Sequence, residues 1–135
     1  MQDLVPDLDT CRRLKAAGFP QDTALAWWQT YLQNLYVADR GKGYDVRLCA
    51  APTLEELLRA LPDAIRLGED HGYLTVDREE AAGESPGFCA AYLDLDGNDP
   101  WKDLSFGPNE RAAQAAADLY LALSKSGLMP NNNND

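Results

Sequence analysis

The chain has 135 residues, 45% of them hydrophobic, enough for one core to close without a disulfide or a metal. Twelve Lys and Arg face 22 Asp and Glu, a formal net charge of −10, which argues against a basic face for nucleic-acid phosphates and against docking on an anionic membrane. No run approaches the roughly 20 apolar residues of a membrane span.

Residues 1–7, MQDLVPD, carry neither a basic n-region nor an apolar h-region, so no secretory signal is expected. A first helix is predicted over residues 9–17, with Asp9 as N-cap, Leu8 as hydrophobic staple and Gly18 ending it. Cys11 and Leu14 then face inward, and Arg12, Arg13 and Lys15 face solvent. Residues 23–37, TALAWWQTYLQNLYV, are ambiguous. Leu25, Trp28, Leu32 and Leu35 fit a helix; Trp27, Tyr31 and the aromatic density fit a strand. The preferred reading is a strand over residues 24–31 and a partner strand after a turn. Residues 43–49 alternate with period two after Gly41-Lys42-Gly43, as a strand does. Thr53-Leu54-Glu55-Glu56 is a capping box, and Leu54, Leu57, Leu58 and Leu61 form one helical stripe that Pro62 ends. Short strands are read at residues 72–76 and 88–93. A last helix is read from Pro108 to Lys125, capped by Gly127, with Ala112, Ala116, Leu119, Tyr120 and Leu123 buried. Residues 131–135, NNNND, read as a disordered tail. The order is α-β-β-α-β-β-α: one α+β domain over residues 1–130, with a mostly antiparallel sheet and three helices.

Candidate chemistry is sparse. Asp94-Leu95-Asp96-Gly97-Asn98-Asp99-Pro100 concentrates carboxylates, but its glycine and its twelfth residue, Ser105, miss the EF-hand frame. A turn is the expected role. On a strand, Asp94 and Asp96 would share a face, which keeps a carboxylate site open as an alternative. His71, the single histidine, sits beside Glu69 and Asp70 in what reads as an exposed polar loop. Glu79, Glu80 and Glu84 read as a solvated connection. Gly41-Lys42-Gly43 is too short for a phosphate loop. No catalytic residue, cofactor or metal is expected. Cys11, Cys49 and Cys89 are odd in number and widely spaced, so three reduced thiols in a cytoplasmic protein are expected. The binding candidates are Trp27, Trp28, Tyr31 and Tyr36, the densest aromatic patch. Adjacent tryptophans on a strand face opposite ways, so one of the pair is expected to be solvent-accessible.

Three segments in order, LKAAGFPQ from Leu14, APTLEELLRALP from Ala51 and AAADLYLAL from Ala115 closing on Gly127-Leu128-Met129, resemble a group of small bacteriophage and prophage proteins of unassigned function. The likeness spans roughly residues 10–129 and consists of helix caps and stripes. It implies an aromatic strand near residues 23–31 and a phage or prophage origin; it carries no catalytic motif. The combined expectation is a non-enzymatic accessory protein in the host cytoplasm that binds a host or phage protein, basic in character, in counter-defence or regulation. No nucleic-acid or membrane partner is expected, and a homo-oligomer stays open. The alternatives are a small-molecule or nucleotide binder using Arg47 or Lys42, and a hydrolase using the carboxylates around Asp94.

Overall fold

The computed structural model describes residues 4–22, 24–31, 34–38, 46–79, 87–98 and 100–129. The tail at residues 131–135 and the Gly41-Lys42-Gly43 turn lie outside them. Helix α1, Leu8–Ala16, starts one turn-half earlier than the expected cap: Asp7, not Asp9, accepts the Thr10 N–H at 2.8 Å. Asp9 instead stands in the first turn and pairs with Arg13 on the exposed side. Leu8, expected as a staple, is itself the first helical residue. Gly18, at φ 91°, takes the left-handed turn that lets Gly18 N–H reach Lys15 O and Phe19 N–H reach Leu14 O. Helix α2, Leu54–Ala60, has its capping box complete: Thr53 Oγ1 accepts from Glu56 N–H at 3.3 Å, and Glu56 Oε1 accepts from Thr53 N–H at 3.1 Å. Leu61 is already extended at ψ 137°, as the residue before a proline must be.

Helix α3, Ala112–Ser126, begins four residues after the predicted start. Asn109 Oδ1 accepts the Arg111 N–H at 2.9 Å and turns the chain into it. Its end repeats the device of α1, with Gly127 at φ 77° and Leu128 N–H returning to Leu123 O. More of its circumference is buried than one stripe: Ala113, Ala115, Ala116, Ala117, Leu119, Tyr120 and Leu123 are all inside, while Ala112 is half-buried. The small side chains allow this, because α3 is covered on one side by a sheet and on others by α1 and α2.

Among the described residues, seven strands form two antiparallel sheets rather than one. The first joins β1 (Trp27–Tyr31), β2 (Asn34–Ala38) and β3 (Val46–Ala50) in the order β2-β1-β3. The ambiguous segment is therefore a strand with a partner strand beside it. The second sheet is a meander of β4 (Ala64–Leu67), β5 (Asp70–Glu79), β6 (Gly87–Leu93) and β7 (Ser105–Asn109). Two of these were not read from sequence. β4 has four residues, too few to show a period. β7 contains Gly107-Pro108, which resembles a helix start, yet a proline is tolerated on an edge strand, and β7 is the edge. Asp70 and His71 lie in β5, not in a loop. The α+β class stands, with the order α-β-β-β-α-β-β-β-β-α.

Two cores result. The larger lies between the second sheet and the helices and includes Leu57, Leu61, Ile65, Ala90, Tyr92, Leu104 and the buried face of α3. Tyr92 is wholly buried and its hydroxyl donates to Pro62 O at 2.7 Å; burial pushes its ionisation far up. Gly72 lies beneath Trp101, where an added Cβ would stand 3.1 Å from the indole ring, so the ring seats against bare backbone. The smaller core lies between the first sheet and α1: Val5, Cys11, Ala26, Trp28, Val37, Cys49 and Ala51. Helix α1 serves both, with Leu14 in the larger core and Cys11 in the smaller.

Because the α2 cap satisfies two backbone groups at once, Thr53→Ala should lower stability by about 1 kcal/mol. Urea denaturation reads this as a lower midpoint with an unchanged slope; an unchanged midpoint would mean the threonine oxygen contributes nothing.

Candidate functional site

The three-stranded sheet carries the aromatic patch, and strand geometry divides it. Trp28 faces α1, opposite Val37 and Cys49, and is 6% exposed. Its indole N–H donates to Pro6 O at 3.2 Å, and the Cys11 thiol donates to the same carbonyl at 3.4 Å. Trp28 is therefore core, with its polar atom satisfied, and presents no contact surface. Trp27 points to the other face, half-buried, where the Arg47 guanidinium lies 4.8 Å above its ring. Tyr36, also half-buried, shares that outer face through its pairing with Gln29. The Tyr31 backbone pairs with Asn34; its side chain lies outside the described residues.

Arg47 reaches this face through an irregularity. Strict alternation over residues 43–49 puts Arg47 on the same side as Cys49. In the sheet, Trp28 pairs with Cys49 and Gln29 pairs with Arg47, so Leu48 is an extra residue and the register shifts. Arg47 thereby joins Trp27 and Gln29. Lys15 donates to the Leu48 carbonyl at 3.3 Å, placing a charge on the edge formed by β3.

Gln29 was not singled out by sequence. It is fully buried; its Nε2 donates to Ala38 O at 3.3 Å, and its Oε1 has no hydrogen-bond partner among the described residues. Ala38 is the residue paired with Trp27, so the amide leans towards the tryptophan. A buried carbonyl without a donor costs about 1–3 kcal/mol, an unusual expense on a small sheet.

Farther along the face that holds Trp28, two aliphatic side chains are exposed. Helix α1 has 9 residues, a rod of roughly 14 Å. Leu35 and Val46 both pair with Thr30 and are 44% and 59% exposed. In the sequence Leu35 counts only among the residues that fit a helix, and Val46 only as part of an alternating run.

The other candidates resolve into structural roles. Asp94 Oδ1 accepts from Asp96 N–H at 3.0 Å and Asn98 N–H at 2.8 Å, and Gly97 takes φ 80°. β6 ends at Leu93, so Asp94 and Asp96 do not share a strand face. Asp99, Glu80, Glu84 and Lys42 lie outside the described residues. His71 is exposed in β5, paired in register with Arg66. Among the described residues no three His, Cys, Asp or Glu converge on a metal position, and no helix is long and apolar enough to cross a membrane.

Two hollows have room for a small molecule. On the second sheet, Thr75, Asp77, Glu79, Cys89 and Ser105 line a cavity of about 190 Å³. Burial first, then Glu79 and Asp77, push the Cys89 thiol up to about 11, so it is a poor nucleophile near neutrality. Between α1, α3 and β7, Arg13, Phe106, Asp118, Leu121 and Lys125 line a groove of about 690 Å³. Burial raises the Asp118 carboxyl, against the lowering effect of the Gln114 amide that donates to it. The cavity on the second sheet is lined by carboxylates and no basic group, whereas the groove has Arg13 and Lys125 beside Asp118.

Two outcomes are expected. The three thiols are free; Cys11 and Cys49 are buried and Cys89 is half-buried. Ellman's reagent should therefore leave the native protein almost unlabelled at pH 7, react first at Cys89 as pH rises, and reach Cys11 and Cys49 on unfolding. Fast stoichiometric labelling at pH 7 would contradict the burial. For Asp118, the raised folded value means that its contribution to stability is full below the ordinary carboxylate range and is lost as pH rises through the raised value. Asp118→Asn should match the wild type near pH 3 and exceed it at pH 7 in thermal melts. Equal melting temperatures at both pH values would refute this.

Set beside family models, curated proteins and solved structures, the chain matches none of them.

Proposed function

We propose that this chain is a non-enzymatic protein that works by binding a basic protein partner through its three-stranded sheet. The observation that carries this reading is the pair Leu35 and Val46, both exposed and flanking Thr30 on one face of the sheet. Two exposed aliphatic side chains on one sheet face, with only a threonine between them, offer apolar area of the kind that contact sites use. On the reverse face, Trp27 and Tyr36 supply the aromatic area that interface anchors use. A partner that wraps this end of the sheet meets both faces. The net charge of −10 supports a basic partner, whose approach it accelerates. The resemblance to phage and prophage proteins supports an accessory role in a host cell, in counter-defence or regulation.

The test is affinity capture from host lysate with the wild type beside two variants. Trp27→Ala and the double variant Leu35→Asp, Val46→Asp should each fold and each lose the partner that the wild type retains. Loss of the aromatic anchor should cost about 2 kcal/mol or more of binding. Raising salt should slow association more than it speeds dissociation. Undiminished capture by both variants would reject the sheet as the contact surface.

A further inference from the structure

The outer face of the first sheet has the parts of a receptor for a planar cation. Three features converge at Trp27. Its ring face already holds a guanidinium, that of Arg47, at 4.8 Å. Gln29, the cross-strand neighbour of Arg47, lies fully buried beside it on the same face. The Gln29 amide is anchored by its Nε2 to Ala38 O, opposite Trp27, which leaves it only an acceptor to offer. That acceptor, Oε1, has no donor among the described residues. The Arg47 guanidinium covers the ring without bonding the amide. A ligand that completes the site must therefore bring both a positive plane for Trp27 and N–H groups for Gln29.

We propose that this face binds an arginine side chain of the partner, and that Arg47 occupies the Trp27 ring in its absence. The proposal rests on the reading of the sheet as a contact surface and names the group recognised there. The incoming guanidinium stacks on Trp27, donates to Gln29 Oε1 and displaces Arg47, an exposed side chain free to swing away. Guanidinium suits both demands, because it is planar, permanently charged and a donor only. An anion is disfavoured: Gln29 offers it an acceptor, and the chain carries a net charge of −10. Arg47 then acts as a competitor, and its removal strengthens binding.

The experiment is calorimetric titration of the whole protein with an acetylated, amidated tetra-arginine peptide, with AMP as an anionic planar probe. Removing the cation–π competitor in Arg47→Ala should tighten the peptide about fivefold. Arg59→Ala, which removes the same charge from the exposed face of α2, should give a much smaller gain. Adding Gln29→Leu to Arg47→Ala should weaken the peptide about tenfold through loss of a charge-assisted bond, while thermal melts show the variant folded. Trp27→Ala should remove specific binding. Peptide affinity that falls or stays level in Arg47→Ala, or that rises equally in Arg59→Ala, would overturn the proposal. So would AMP binding that depends on Arg47. If these outcomes occur while the Leu35→Asp, Val46→Asp variant still loses its partner, the sheet remains the contact surface and arginine recognition alone fails. If no variant changes either readout, both fail.

Discussion

Two consecutive residues, Pro6 and Asp7, are held by opposite halves of the molecule. The Pro6 carbonyl accepts from Trp28 and Cys11 in the smaller core. The Asp7 N–H donates to Gln114 Oε1 on α3, 107 positions away. Gln114 Nε2 also donates to Thr10 Oγ1 and Asp118 Oδ1, so one amide ties the start of α1 to the helix that organises the larger core. Thr10 is buried, so its hydroxyl needs this partner. The position of the first sheet relative to the second depends on α1, and the position of α1 depends on this clamp. A glutamine suits the place because it is neutral and offers donor and acceptor at once.

The clamp also explains why surface is left over. Helix α1 must present Leu14 to one core and Cys11 to the other, which fixes its rotation. Within that constraint it covers one end of the first sheet, the end with Trp28, Val37 and Cys49. Lengthening α1 to cover the rest is opposed by Gly18, whose left-handed turn directs Phe19 back into the larger core. The unspent aliphatic surface is thus a consequence of how two cores share one short helix.

What was legible in the sequence was local. The Thr53 box, the helix-ending glycines at positions 18 and 127 and the inward Cys11 and Leu14 all concern residues within about one helical turn of each other. The α+β class followed from them. What was not legible was either too short or too distant. β4 has no room for a period, and the proline of β7 imitates a helix start. Asp9 and Asp7 are both adequate caps, and the contact that favours Asp7 comes from Gln114. In the candidate site, alternation implied that Trp27 and Trp28 part company, but not which one the core takes. The bulge at Leu48 and the orphaned Gln29 carbonyl arise from pairing between strands and leave no mark along the chain.

The seating of Trp101 on Gly72 has a further use. It places one indole against the larger core, while Trp28 sits inside the smaller one. The first sheet also carries the half-buried Trp27, so with that residue replaced by phenylalanine each half of the molecule contains one indole. Their surroundings differ, one wedged over backbone and half-covered, the other sealed with its N–H bound to a carbonyl. Emission from the two reports separately on the two halves, so the molecule is equipped to reveal whether its cores melt as one cooperative unit or in sequence.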